Sequence, residues 1–280
     1  MRIVSFLAAG TEIVNALGAG EQLLGRSHEC DYPPGVDRLP IVSRPALELG
    51  GLSQAEIDSA VAGHMQTGES LYVVDEALLR ELAPDVILTQ DLCHVCAPSG
   101  NELTRSLATL PKKPELVFLT PRTLAEIDEN ILEVGRVTGH ENEARAVVER
   151  NHERLERVRA VTRGRTPRRV TFLEWADPPF CAGHWVPEML EIAGGHDPLG
   201  RPGADSVRVT WDDIRETRPE IVVVAPCGFG LSEAWQMASE LPPLPGSRIE
   251  AVDANAYFAR PGPRYAEGVE VLAALFRTRL

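Results

Sequence analysis

The chain has 280 residues, 44% of them hydrophobic, and a formal net charge of −13. That length holds one large core or two modest ones, and so negative a charge with no basic stripe sets nucleic acid aside as a partner, because phosphate binding needs clustered Lys and Arg. No run of about 18 apolar residues occurs, so no segment is predicted to span a membrane, and five cysteines, an odd number unlike a disulfide framework, read as reduced thiols.

Arg2 to Leu7 is predicted as a buried strand flowing into a helix opened by Thr11 and Glu12 and stopped at Gly18 or Gly20. The run lacks the basic, long apolar and cleavage-site pattern of an export leader, so a cytoplasmic location is expected. Leu23 to Arg26 is a second strand, delivering the loop Ser27-His28-Glu29-Cys30-Asp31-Tyr32-Pro33-Pro34. Ser53, with Glu56 three residues on, caps a helix to Met65, and Asp75 caps another ending near Ala83. Val86 to Thr89 reads as a buried parallel strand. It ends in Gln90-Asp91-Leu92-Cys93-His94-Val95-Cys96, and Glu115 to Leu119 closes the first half.

Residues 141–163 contain no Gly or Pro, and Ala144, Val147, Val148, Leu155, Val158 and Val161 recur mostly three, four or seven apart, which predicts a single helix of roughly 34 Å. The flanking halves repeat. LRELAPDVILTQDLC from Leu79 and IRETRPEIVVVAPC from Ile214 share a helix end, a Pro, an acid, a β-branched strand and a Cys-bearing loop, and Arg2 and Arg169 open similar strands. The expected fold is therefore α/β, with two Rossmann-like lobes, each a mostly parallel sheet flanked by helices, at residues 1–122 and 166–280. Linking helices at 123–165 include the long one.

In the second half, strands are predicted at 170–173, 221–224 and 249–252, and helices at 186–193, 211–217, 233–240 and 266–276. The loops that follow the strands carry Trp175, Phe180, Trp185, Phe229, Tyr257 and Phe258, as Tyr32 does in the first half. With aromatics only 5% of the chain, that concentration points to flat apolar walls for a large ligand, because ligands of open parallel sheets bind outside the carboxyl ends of the strands.

Several polar groups share these loops. Cys93 and Cys96 form a lone C-x-x-C without a second pair, which fits a zinc site, a redox dithiol or plain thiols, and Cys30 and Cys227 could complete a ligand set. His184 could meet a metal centre carried by a ligand or bond a carboxylate. Glu174 could bond ligand amides or cap a neighbouring helix, and Arg260 and Arg264 could clamp a ligand or pin their Pro-rich loop. No G-x-S-x-G elbow, P-loop, H-E-x-x-H or dinucleotide fingerprint occurs, which weakens an enzyme reading.

The blocks RIVSFLAAGTEIVNALG at the start, HECDYPP at His28 to Pro34, GESLYVVDEALLRELAPDVILTQDLCHVCA from Gly68, DPPFCAGHWVPEMLEIAGG from Asp177, APCGF from Ala225 and NAYFARPGPR from Asn255 resemble, in order, the cobalamin-binding members of the helical-backbone (class III, vitamin B12 and ferric-siderophore type) substrate-binding proteins of ABC transporters. The resemblance implies two lobes joined by one long helix, small hinge motion, and non-catalytic capture of a corrinoid in the cleft between the lobes. Matching positions place Tyr32, Ser70, Tyr72, Gln90, Trp175, His184, Trp185, Phe229 and Tyr257 along that cleft; Glu174, Phe258 and Arg260 join them from the reading of the residues. A cobalamin-type corrinoid is the expected ligand, with an ABC permease or an intracellular corrinoid acceptor as partner. The alternatives are a metal ion or iron complex held by Cys30, Cys93, Cys96 and Cys227, and an enzyme that modifies a bound corrinoid.

Overall fold

The computed structural model describes residues 1–67, 70–90, 106–108 and 110–278. The chain divides into two compact units, one of residues 1–120 with 128–148, the other of residues 121–127 with 149–280.

The first unit is built on a six-stranded sheet of β1 (Ile3–Ser5), β2 (Leu23–Ser27), β3 (Ile41–Pro45), β4 (Tyr72–Val74), β5 (Val86–Thr89) and β6 (Glu115–Phe118), in the order β4-β3-β2-β1-β5-β6. All pairs are parallel except β3 with β4. Every residue of β1 and β5 is buried, as expected for central strands covered on both faces. Val4, Phe6, Val42, Val74, Leu79 and Ile87 form one core cluster. The first helix, Ala8–Ala16, starts directly on the end of β1 rather than at Thr11, and it buries both Thr11 and Glu12. Small residues allow this close start: a Cβ at Gly10 would lie 2.8 Å from Ser5 Oγ and 3.1 Å from the Leu88 side chain.

Two of the predicted caps form as written. Ser53 and Glu56 make a reciprocal capping box on Gln54–Gln66, and Asp75 Oδ1 accepts Leu78 N at 2.9 Å at the start of Glu76–Leu82.

The second unit has β7 (Arg168–Ala176), β8 (Pro179–Cys181), β9 (Gly195–His196), β10 (Ile221–Val224) and β11 (Arg248–Ala251), in the order β11-β10-β7-β8 with β9 paired to β7. Only β8 is antiparallel. Leu173, Ile214, Val222, Val224, Ala234, Ala238, Leu244 and Ala251 make its core cluster. Strand β7 is longer than predicted, so Trp175 stands within the strand, and Phe180 lies on β8 rather than in a loop.

The long helix is present as Glu141–Thr162, following Leu124–Thr138. Its buried stripe is Ala144, Val147, Asn151, Leu155 and Val158, with Val161 exposed. Asn151 fills the gap that the apolar pattern leaves, and its amide donates to Pro263 O at 3.0 Å. On the same helix Arg154 pairs with Glu267 at 2.8 Å and Glu270 at 2.8 Å.

The internal repeat is visible bond by bond. Ala83 and Arg218 each end a helix in the left-handed region, φ +39° and +48°, just before a Pro. Asp85 then accepts Arg2 N at 3.1 Å in one unit, and Glu220 accepts Arg169 N at 3.0 Å in the other. Arg2 Nε donates to Leu82 O, and Arg169 Nε to Arg218 O, at 2.7 and 2.9 Å.

Candidate functional site

In the first unit the order β2-β1-β5 makes β1/β5 the point where the winding reverses, the place where open α/β sheets take ligands at their carboxyl ends. Two predicted residues follow these strands: Gln90, buried after β5, and Tyr32, 42% exposed in the loop after β2. That loop is organised by Arg26, which sequence reasoning passed over. Its buried guanidinium donates to the carbonyls of Ser27 (3.1 Å), Cys30 (3.0 Å), Asp37 (3.0 Å) and Leu39 (3.2 Å), so the charge is held by backbone oxygens. A lone Arg inside the otherwise apolar LLGRS strand was the available signal.

Three further first-unit residues are placed as follows. Tyr72 lies on strand β4, buried, with its ring 5.9 Å from that of His28. Ser70 is turned to its own backbone, with its hydroxyl accepting Tyr72 N at 3.1 Å and its carbonyl meeting His64 Nε2 at 2.8 Å. Cys30 is buried and its sulfur accepts the Thr11 hydroxyl at 3.0 Å, so the thiol is not presented to a ligand. Strand pairing turns Tyr72 inward and the contact with Thr11 goes with the burial of Cys30, and sequence position alone carries no direction. Burial, with Arg26 and Arg44 nearby, holds His28 below the usual histidine range against one backbone hydrogen bond that raises it. Cys93 and Cys96 lie outside the described residues.

In the second unit the order β11-β10-β7 brings three aromatics to one carboxyl-end edge: Trp175 near the end of β7, Phe229 after β10, and Tyr257 after β11 on the short helix Ala254–Tyr257. All three are partly exposed. The Trp175 and Phe229 rings stand 5.7 Å apart, Trp175 Nε1 is pinned by Asp177 O at 3.0 Å, and the Arg264 guanidinium lies 5.8 Å from the Tyr257 ring centre. Arg260 is also partly exposed in this loop. Cys227 is exposed, its amide bonded to Glu174 O at 3.0 Å.

Trp185 and Phe258 belong elsewhere. Trp185 is buried, with its indole N–H donating to Phe258 O at 3.1 Å, and Phe258 packs edge-on against Phe172 at 5.3 Å. They are core, because the helix Val186–Ile192 starts at Trp185 and draws its ring beneath the loop.

Glu174 faces the interior of the loops: Oε1 accepts Gly183 N at 2.8 Å and Oε2 accepts the Ser206 hydroxyl. Removal from water raises its pKa, opposed by those two bonds. It staples residues 181–184 to residues 203–206, with no room for a side chain at Gly183, where a Cβ would collide with Ser206 N. His184, φ +50°, completes the pair: its N donates to Ala204 O at 2.7 Å, and its Nε2 stands 3.2 Å from Asp205 Oδ1. Asp205 also takes Arg122 Nη1 at 2.9 Å, and that pair, more than His184, holds its carboxyl below the usual range.

Among the described residues no group of three or more His, Cys, Asp or Glu is placed to hold a metal ion, so the suggested protein-bound metal has no support. No described helix is long and apolar enough to cross a membrane.

The vitamin B12-binding protein of Vibrio cholerae serotype O1 is 24% identical over 274 residues, 96% of this chain and 86% of that protein. The crystal structure of the periplasmic vitamin B12-binding protein of Vibrio cholerae superposes with a TM-score of 0.67 at 21% identity, covering 99% and 96% of the two chains. The apo periplasmic heme-binding protein of Roseiflexus sp. RS-1 gives 0.70 at 20% identity, covering 98% and 97%. These matches bear out the two-sheet fold and the resemblance to substrate-binding proteins. They overturn the cytoplasmic placement, since the two matched structures are of periplasmic proteins; a first strand buried in a sheet tells how Ile3–Ser5 pack and carries no cellular address. With the periplasmic binding protein model matched over residues 3–242, the chain belongs to the periplasmic binding protein family.

Proposed function

We propose that this protein binds a cobalamin-type corrinoid, without catalysis, at the strand carboxyl ends of its second sheet and delivers it to an ABC permease. The observation that carries the reading is the row of Trp175, Phe229 and Tyr257 along one sheet edge, partly exposed and anchored by neighbouring polar groups. A macrocycle laid on such a row buries a few hundred Å² of apolar surface. At about 25 cal/mol per Å² that is several kcal/mol before the entropic cost of association. The vitamin B12-binding relatives across nearly the whole chain support the same ligand class. Arg260, partly exposed in the loop beside Tyr257, is the polar partner we assign to the corrinoid's side-chain amides, while Glu174 shapes the loop from behind.

The test is equilibrium dialysis against hydroxocobalamin, with hemin as a competing flat metal macrocycle. Wild type is expected to retain about one equivalent, and Trp175→Ala and Phe229→Ala each to weaken retention about tenfold, or about 1.4 kcal/mol. No retention by wild type removes the corrinoid reading, and tighter retention of hemin reassigns the ligand to heme.

A further inference from the structure

The His184 side chain is only 18% exposed, and its backbone occupies the left-handed region that a non-glycine residue adopts at a cost. Four connections hold it there. The backbone of His184 exchanges bonds with Ala204 and Gly203, at 2.7 and 2.9 Å, and Glu174 ties the preceding Gly183 to Ser206. The ring itself is gripped by Asp205, which is gripped in turn by Arg122.

The partner decides the tautomer. A carboxylate already accepting from a guanidinium is an acceptor, so Nε2 must carry the hydrogen that reaches Asp205 Oδ1. In the neutral ring the lone pair then sits on Nδ1, for which no partner is found among the described residues. A carboxylate behind one imidazole nitrogen is the arrangement that fixes the tautomer and orients the other nitrogen toward a metal. Among the described residues no second protein group converges to form a metal site with it, so the metal it suits is one that arrives with its other ligands in place.

We propose that Nδ1 of His184 coordinates the central cobalt of the bound corrinoid, with Asp205 and Arg122 as positioning residues behind it. The inference rests on the corrinoid reading above. The step is a ligand substitution: the cobalt–oxygen bond to an axial water breaks, a cobalt–nitrogen bond forms from the Nδ1 lone pair, and water leaves. The Nε2 hydrogen stays on the ring, and cobalt keeps its oxidation state.

The test uses diaquocobinamide, which has no nucleotide base and carries exchangeable axial ligands, with retention measured by ultrafiltration and ligation by the visible spectrum. Wild type should retain it with shifted bands, His184→Asn should lose the shift, and Asp205→Ala should lower the ligation constant about tenfold or more. Asn is chosen because it tolerates the left-handed backbone, and thermal unfolding midpoints of both variants check that they fold. Independently of any variant, cob(II)inamide bound to wild type should show an axial-nitrogen triplet in its paramagnetic resonance spectrum that becomes a doublet when the histidines carry ¹⁵N. Retention with the spectrum of the free probe, or a shift that survives in His184→Asn, overturns the assignment while leaving the corrinoid reading intact. Absence of retention in wild type takes down both.

Discussion

Trp185 and Trp175 show how far two tryptophans of one stretch can part. Trp185 is 6% exposed and its N–H bonds Phe258 O, so truncation removes a core side chain and leaves a buried carbonyl without its donor. Trp185→Ala is expected to cost about 3–5 kcal/mol of stability by urea denaturation; a midpoint equal to wild type would show that the indole is not part of the core. Trp175, partly exposed and held by Asp177, is the one available for stacking. The same separation applies to Glu174, which was legible as a polar group at a strand end. Its partners Gly183 and Ser206, 9 and 32 residues away, were not, because nothing local in sequence links them.

At the scale of elements, the short strand β9 pairs with β7 through its backbone, and one carboxylate just after it adds a further tie. Asp197 Oδ2 accepts Phe172 N and Oδ1 accepts Leu199 N, both at 2.9 Å. Burial nevertheless pushes its pKa up to about 6, because the cost of desolvating the charge outweighs the backbone hydrogen bonds. A folded pKa above the unfolded one means that the native state keeps a proton the unfolded chain has released. The contribution is therefore full below the unfolded value of 3.8 and lost as pH rises through about 6. Asp197→Asn does not ionise, so its stability relative to wild type should climb from pH 4 to pH 6.5 by on the order of 2–3 kcal/mol. Urea midpoints of the two proteins across that range measure it, and a constant difference would deny the titration. The repeated helix–Pro–acid–strand units behave alike for a local reason: in both, the acid two residues after the left-handed turn faces the opening residues of the neighbouring parallel strand. That spacing is written in the sequence, and so the repeat could be read from it.

For the whole molecule, binding should appear as stability. A corrinoid that binds only the folded chain, present at 100 times its Kd, adds about 2.7 kcal/mol to whichever cooperative unit holds it. Calorimetry with and without hydroxocobalamin checks this, and unchanged transitions at saturating ligand would contradict folded-state binding.

The sequence by itself determined strands β1, β2, β5, β6, β7, β10 and β11, the long helix and the carboxyl-end loops, because β-branched runs, 3.6-residue periodicity and capping boxes act over a few residues; β3, β4, β8 and β9 were not legible in it. It also carried the family, through blocks that match in order. Tertiary structure alone decided which loop side chains face outward. Tyr72 and Trp185 are buried by strand pairing and by a helix start, Cys30 by its bond to Thr11, and His184 is held by Asp205 and Arg122 from other segments. A side chain's direction depends on which distant segment packs against it, and chain-order spacing does not encode that partner.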